Sequence, residues 1–279
     1  MKDKVINAKP LFSILIANYN NSKYLTQCME SIVAQTYDNI EVIIVDDRST
    51  DDSIVVIESL KSKYPIIQLH QNDINRGAGF TKKRCIDLSA GELCGFLDPD
   101  DALTPEAVAL MVEKHSQYEN ASLVYSTNYE CDQYLNVKLV NSWIKQQPSN
   151  EPVYKNTYVG HFATFKKALY AKTAGPDSAL KRAVDHDLYC LLEEVGELIF
   201  VDKPLYYYRQ HDGGISLKSN RYKAEYWDWI VKHKYAIKNG ADLEEEYSRI
   251  MSSRIPVEGR LGKVLLFIYR ISNKLLGRI

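Results

Sequence analysis

The chain has 279 residues, 45% of them hydrophobic and 25% charged, with a formal net charge of -1. That composition is ordinary for a soluble globular protein with enough sequence for a sizeable core, and the near-neutral balance gives no electrostatic case for nucleic acid as a partner. Five scattered cysteines, Cys28, Cys85, Cys94, Cys131 and Cys190, form no CxxC pair or Cys/His cluster, so zinc is not expected and reduced thiols in a cytoplasmic protein are.

In chain order, "LFSILIA" reads as a buried strand over 12–17, and Asn18 and Asn20 cut it too short for a signal peptide or a membrane span. A helix is predicted over 24–35, then a strand "IEVIIVDD" and a helix opening at "STDDS" with Thr50 or Asp51 as its cap. "IIQLHQN" is a third strand, 81–89 a third helix and "LCGFLD" a fourth strand. Continuous apolar strands joined by helices predict an α/β fold with a mostly parallel central sheet covered on both faces. Further on, a helix over 105–118, a strand "SLVYSTNYE" leading into a hairpin and a polar loop "KQQPSNEPVYKN" are predicted. "VGHFATFKKALY" is read as a strand entering a helix, "AVDHDLYCLLEEVG" as a helix, "IFVDKPLYYYRQHDGGIS" as a strand or hairpin, and the chain from about Asn220 as helices.

Ligands of such sheets bind beyond the carboxyl ends of the strands. Here "NYNN", "DDRSTDD", "NDINRG" and "DPDD" each follow a predicted strand, which places all four polar clusters on one rim. An isolated Asp98-Pro99-Asp100 is more often a turn than a metal site. On a shared rim, two carboxylates two residues apart could hold Mg²⁺ or Mn²⁺ while leaving positions for phosphate. Asp46 or Asp47 could accept the imide N–H of uracil with Tyr19 stacked on the ring, or simply cap the next helix. The glycine pair of "NRGAGFTKK" is no dinucleotide fingerprint, because Lys82 stands where the third glycine belongs. Asn75 and Gly77 instead let the backbone approach a ligand, with Lys82, Lys83 and Arg84 either binding phosphate or forming a solvated face. Asp185 and Asp187 open a helix, where one acid could complement the dipole or act as a general base. Arg209 and His211 are spaced to share one face of a strand and to reach a diphosphate or a metal, although a lone histidine near a turn is as often only a surface residue.

From "FSILIANYNNSKYL" through "GFLDPDDALTP", and more weakly to about residue 215, the chain resembles family-two inverting glycosyltransferases of the GT-A fold. The resemblance implies sugar transfer from a nucleotide sugar, commonly a UDP-sugar, to a hydroxyl of a glycan or lipid-linked glycan acceptor. It implies donor contacts at Ala17, Tyr19, Asp47, Asn75, Gly77, Lys82, Lys83, Asp98 and Arg209. A divalent cation would be held by Asp98, Asp100 and His211, and Asp185 would be the catalytic base. Val184 stands where the family has Glu before that base, which keeps Asp187 as a second candidate. Residues 1–104 would be the donor half and 105–220 the acceptor half of one GT-A domain, with 221–279 a helical extension. Asp101 is left unassigned, expected either to support the ligating side chains or to make a contact within the turn, and not to be a ligand. A non-catalytic nucleotide-sugar-binding protein of the same fold is the alternative.

After Glu258 the only charges are Arg260, Lys263, Arg270, Lys274 and Arg278, so this tail carries +5 and residues 1–258 carry -6. Apolar residues from Leu261 to Ile279 recur at helical spacing. Residues 259–279 are therefore expected either to rest on an anionic membrane or to dock on their own domain.

Overall fold

The computed structural model describes residues 9–211, 213, 220–242 and 244–245. Strand β1 (Phe12–Asn18) lies at the centre of the first half, because almost every one of its side chains is buried. Helix α1 (Ser22–Val33) leads to β2 (Ile40–Asp46), α2 (Ser53–Lys63) to β3 (Ile67–Gln71), and α3 (Ala78–Leu88) to β4 (Leu93–Phe96). All three pairings among these strands are parallel, in the order β3-β2-β1-β4. Alternate residues divide between two faces. Phe12, Ile14, Ile16, Val42 and Ile44 meet Leu25, Met29 and Ile57 of α1 and α2 on one side. The helix α3, with Cys85 and Ile86 fully buried, packs against β1 and β2. The expectation of helices on both faces holds, and the four polar clusters do follow the four strand ends.

The second half mixes directions. Strand β5 (Ala102–Leu103) precedes α4 (Ala107–Gln117), β6 (Ala121–Cys131) and β7 (Val137–Val140). Then come β8 (Ala163–Lys166), the single turn α5 (Lys167–Tyr170), α6 (Val184–Glu193), β9 (Glu197–Arg209) and α7 (Arg221–Lys238). The sheet continues from β4 through β8, β6 and β9 to β5, with β7 paired to β6. Only β6–β9 is parallel in this part. The two-residue β5 has no sequence signature of its own, yet it pairs with Tyr206 and Tyr207 and so fastens the "DPDD" turn to β9.

Two local expectations shift. Helix α2 has Asp52 at its cap position without a side-chain bond. Asp51 does that work from one residue earlier, accepting from Ser53 N–H and from Ser22 N–H, so one carboxylate serves the starts of two helices. Helix α3 begins at Ala78, earlier than predicted, because Gly77 takes φ +88° and Gly79 fits where a Cβ would lie 2.5 Å from Leu180 O.

The chain divides into two compact units, Met1–Val231 and Lys232–Ile279. In the second, the described residues are the end of α7 and its termination, where Gly240 at φ +66° follows the last turn. The expected basic amphipathic segment, 259–279, lies outside the described residues. Among those described, no helix is long and apolar enough to cross a membrane.

His115 of α4, 3% exposed, is bonded through Nε2 to Thr164 Oγ1. Burial, reinforced by Lys166, pushes its imidazole down to about 3. The folded state thus keeps His115 neutral while the unfolded chain protonates it below about pH 6.5. Stability from this residue is complete above pH 6.5 and is lost as pH falls toward 3, at about 1.4 kcal/mol per pH unit. In urea titrations at a series of pH values, His115→Gln is expected to flatten the acid slope of wild-type stability by about that amount.

Candidate active site

The turn after β4 carries Asp98, Asp100 and Asp101, and each carboxylate has a different partner. Asp98 Oδ1 lies 3.4 Å from Lys82 Nζ of α3. Burial works to raise the Asp98 carboxyl, but Lys82 and His161 hold it below its ordinary value. Asp100 Oδ2 is 2.8 Å from His211 Nε2. His211 Nδ1 accepts from Gly213 N–H, so Nε2 carries the proton that Asp100 accepts. Asp101, 1% exposed, accepts from Tyr206 O–H at 2.7 Å and from Arg209 N–H at 2.7 Å. Burial, followed by the charges of Asp100 and Asp98, pushes its carboxyl well up. Asp101 thus ties the turn to β9, in keeping with the expectation that it is a supporting acid and not a ligand.

Arg209 does not reach outward. It is 3% exposed and donates to Asp100 O, to Gln133 O at 2.7 Å and to Gln27 Oε1 at 2.8 Å. Its guanidinium lies 4.6 Å from the centre of the Tyr24 ring, against which His211 also packs at 4.9 Å. In place of the expected donor contact Arg209 braces the turn, because its guanidinium is buried and gives three of its N–H groups to internal acceptors.

The rim residues of the first half differ in the same way. Tyr19, 46% exposed just beyond β1, is available for stacking, with Ala17 partly buried beside it in the strand. Asp47 is 4% exposed, and its carboxylate accepts from Asn72 Nδ2, Arg76 N–H and Gly77 N–H at 2.7–2.8 Å. It shapes the loop before α3 and presents at most its remaining lone pair to a base. Asn75 is exposed on that loop. Lys83 turns onto Asp87 at 3.6 Å on the outer face of α3, whereas Lys82 points inward. Arg84 donates to Gln71 O and Asn72 Oδ1 and is structural.

Asp185 enters from the first turn of α6, after Ala183 has taken a left-handed conformation at φ +55°. It faces a cavity of about 330 Å³ whose walls include Trp143, His161, Tyr189, Arg221 and Asp228. Lys82 connects the two acids: burial works against its proton, but the charges of Asp98 and Asp185 hold it more tightly than usual. Asp187, the second candidate, is fully buried and accepts from Asp177 N–H at 2.8 Å, away from the cavity lining. His161, unmentioned by the sequence reading, stacks on Tyr208 at 4.8 Å and Tyr206 at 5.3 Å. The alternation Tyr206/Tyr208 in "YYYR" was the available signal for a common strand face.

Asp100 and His211 fit two neighbouring positions of a divalent cation, which would replace their shared proton and leave room for water and phosphate oxygens. Asp98, expected as a third ligand, sits against Lys82. Among the described residues, no three His, Cys, Asp or Glu side chains gather around one point.

The chain matches the family described as "Glycosyl transferase family 2" over residues 13–173. A chondroitin synthase of Escherichia coli is 32% identical over 221 residues, which cover 78% of this chain and 32% of that protein. The chain belongs to glycosyl transferase family 2. A hyaluronan synthase of Pasteurella multocida is 26% identical over 96% of the chain and 30% of its own length. The family 2 chain thus spans about a third of these two relatives. In fold it is similar to Staphylococcus aureus TarS in complex with UDP-GlcNAc, at a TM-score of 0.65 and 20% identity over 85% of this chain and 69% of that one. A mannosyltransferase of Pyrobaculum calidifontis, in complex with GDP-Man and Mn²⁺, gives a TM-score of 0.58 at 12% identity over 93% and 84% of the two chains. Both are GT-A glycosyltransferase structures, and their likeness extends the agreement from sequence to fold.

Arg209→Lys keeps the charge but loses the planar fork. It is expected to lower stability by about 2 kcal/mol, from hydrogen bonds to a buried cation left unmade, measured as a shift in the urea midpoint.

Proposed function

We propose that this family 2 enzyme transfers a sugar from a UDP-sugar to a hydroxyl of a glycan acceptor with inversion at the anomeric carbon. The observation that carries the proposal is Lys82, which lies against Asp98 of the turn and carries the influence of Asp185 in the cavity. The acidic turn and the candidate base thus both act on the charge of Lys82. TarS in complex with UDP-GlcNAc and the synthases related in sequence support a UDP-linked donor and polysaccharide synthesis.

In this mechanism the acceptor oxygen attacks the anomeric carbon on the face opposite the diphosphate. The new C–O bond forms as the bond to the diphosphate oxygen breaks, its electron pair leaving with UDP. The acceptor proton passes to the Asp185 carboxylate, which later releases it to water. No acid is required at the leaving group, because a diphosphate departs as an anion. Tyr19 stacks on the uracil ring, the backbone at Asn75 and Gly77 borders the donor, and Lys82 places a cation at the diphosphate. Asp100 and His211 would hold Mn²⁺ or Mg²⁺, which when bound supplies positive charge beside the diphosphate.

The proposal is tested by screening nucleotide sugars for acceptor-dependent UDP release. Asp185→Asn is expected to lower kcat by about 10²–10⁴ with little change in the KM for donor. If Asp185→Asn and wild type bind donor equally and neither releases UDP with any donor, the chain is a binding protein and the transferase reading fails. A separate expectation concerns the metal. Chelation should abolish UDP release and Mn²⁺ restore it, and Asp100→Asn and His211→Gln should each raise the Mn²⁺ concentration needed for half-maximal rate by about tenfold or more.

A further inference from the structure

We infer that the cavity beside Asp185 is an acceptor subsite for an uncharged pyranose ring, with Trp143 as the platform on which that ring stacks. The inference rests on the transferase reading and adds the substrate class of its second site.

Trp143 is 50% exposed and lines the same cavity as Asp185. Exposed apolar side chains such as Tyr134 and Val55 are ordinary on a protein surface; Trp143 is set apart from those among the described residues by lying on the wall of this cavity. The loop around it is built to hold it there. Asn141 Oδ1 accepts from the N–H groups of Trp143 at 3.0 Å and Ile144 at 3.2 Å, while Asn141 Nδ2 donates to Glu130 at 2.9 Å. The next side chain, Ile144, is 4% exposed and occupies the space above Gly160, where a Cβ would lie 2.1 Å from Ile144 Cδ1. Beyond it, the Tyr125 hydroxyl donates to Lys145 O and accepts from Gln147 N–H, each at 2.7 Å. A buried residue anchored on a glycine thus sets the exposed indole at the cavity wall.

The charges of the cavity indicate what stacks there. Three carboxylates line it, those of Asp185, Glu225 and Asp228. Arg221 pairs with Glu225 at 3.0 Å and His186 with Asp228 at 2.8 Å. Asp185 is the one of the three without an ion pair among the described residues. A carboxylate or phosphate on the acceptor at this point would add to the negative charge of these three groups, against which the cavity wall itself offers Arg221. An uncharged pyranose does not: its C–H face suits the electron-rich face of indole, and its hydroxyl edge suits the Arg221–Glu225 pair and Asp185.

The test reads binding directly. The full chain, saturated with UDP, is titrated with methyl β-hexopyranosides (gluco, galacto and their 2-acetamido forms) and, separately, with methyl β-glucuronide, by ligand-observed NMR. At least one neutral hexoside is expected to bind more tightly than the glucuronide. Trp143→Ala should weaken that binding about tenfold, and Trp143→Phe, which keeps an aromatic face, by less than about threefold. In turnover the same split should fall on the KM for acceptor and not on that for donor. Equal binding by Trp143→Ala and wild type, tighter binding of the glucuronide, or no neutral hexoside bound would each overturn the inference. Failure of the transferase reading looks different: wild type would bind or cleave no nucleotide sugar, whatever Trp143 does with hexosides.

Discussion

Like-charge repulsion at the end of β4 is the constraint around which the rest is arranged. Three carboxylates within four residues cannot share one strand end unless each is answered separately. The structure answers them with Lys82 from α3, His211 from beyond β9, and Tyr206 with Arg209 N–H from β9. These partners come from segments far apart in sequence, so the turn acquires its compensation only when the first half of the sheet and the end of β9 meet. The acidic centre and the closure of the fold are therefore one set of contacts.

A shell of tyrosines makes that closure possible. The Tyr206 hydroxyl accepts from Asp98 N–H and donates to Asp101, so one side chain ties the first acid of the turn to the last. Tyr24 supplies a face to both Arg209 and His211. Such rings exclude water from the charged groups while offering a polar tip or an electron-rich face, which strengthens the pairings they enclose. The abundance of tyrosine, 20 residues, finds part of its explanation here rather than at the ligand.

The first half was legible because its signals are local. Buried apolar runs such as "FSILIA" and "IEVIIVD" define strands without reference to anything else, and a polar cluster after each one locates the rim. Asp47, Arg209 and Asp187 show where this stops. Their residue types suit a ligand site, but burial gives them internal partners, and no one-dimensional pattern distinguishes a carboxylate facing a nucleotide from one closing a loop. The pairing of β5 with β9 and the seating of Ile144 on Gly160 are equally silent in sequence, because each depends on two segments meeting across the fold. A resemblance to a family carries residue types across; it does not carry their partners.

Lys82 illustrates how charge is balanced at such a centre. Lys82 lies against Asp98, and the charge of Asp185, from the other half of the domain, also holds its proton; without that cation the two acids would add a second repulsion to that already present in the turn. They would also repel an incoming diphosphate. An ammonium paired with Asp98 and under the charge of Asp185 offsets each of these terms, and its compact, flexible stem lets it remain near Asp98 without the fixed geometry of a guanidinium. Arg209, whose planar fork is needed where geometry is rigid, is placed in the brace. Lys82 is placed where charge must be available to more than one partner. The division between the two cations follows from their chemistry, and it separates the part of the site that holds the turn from the part that can face a substrate.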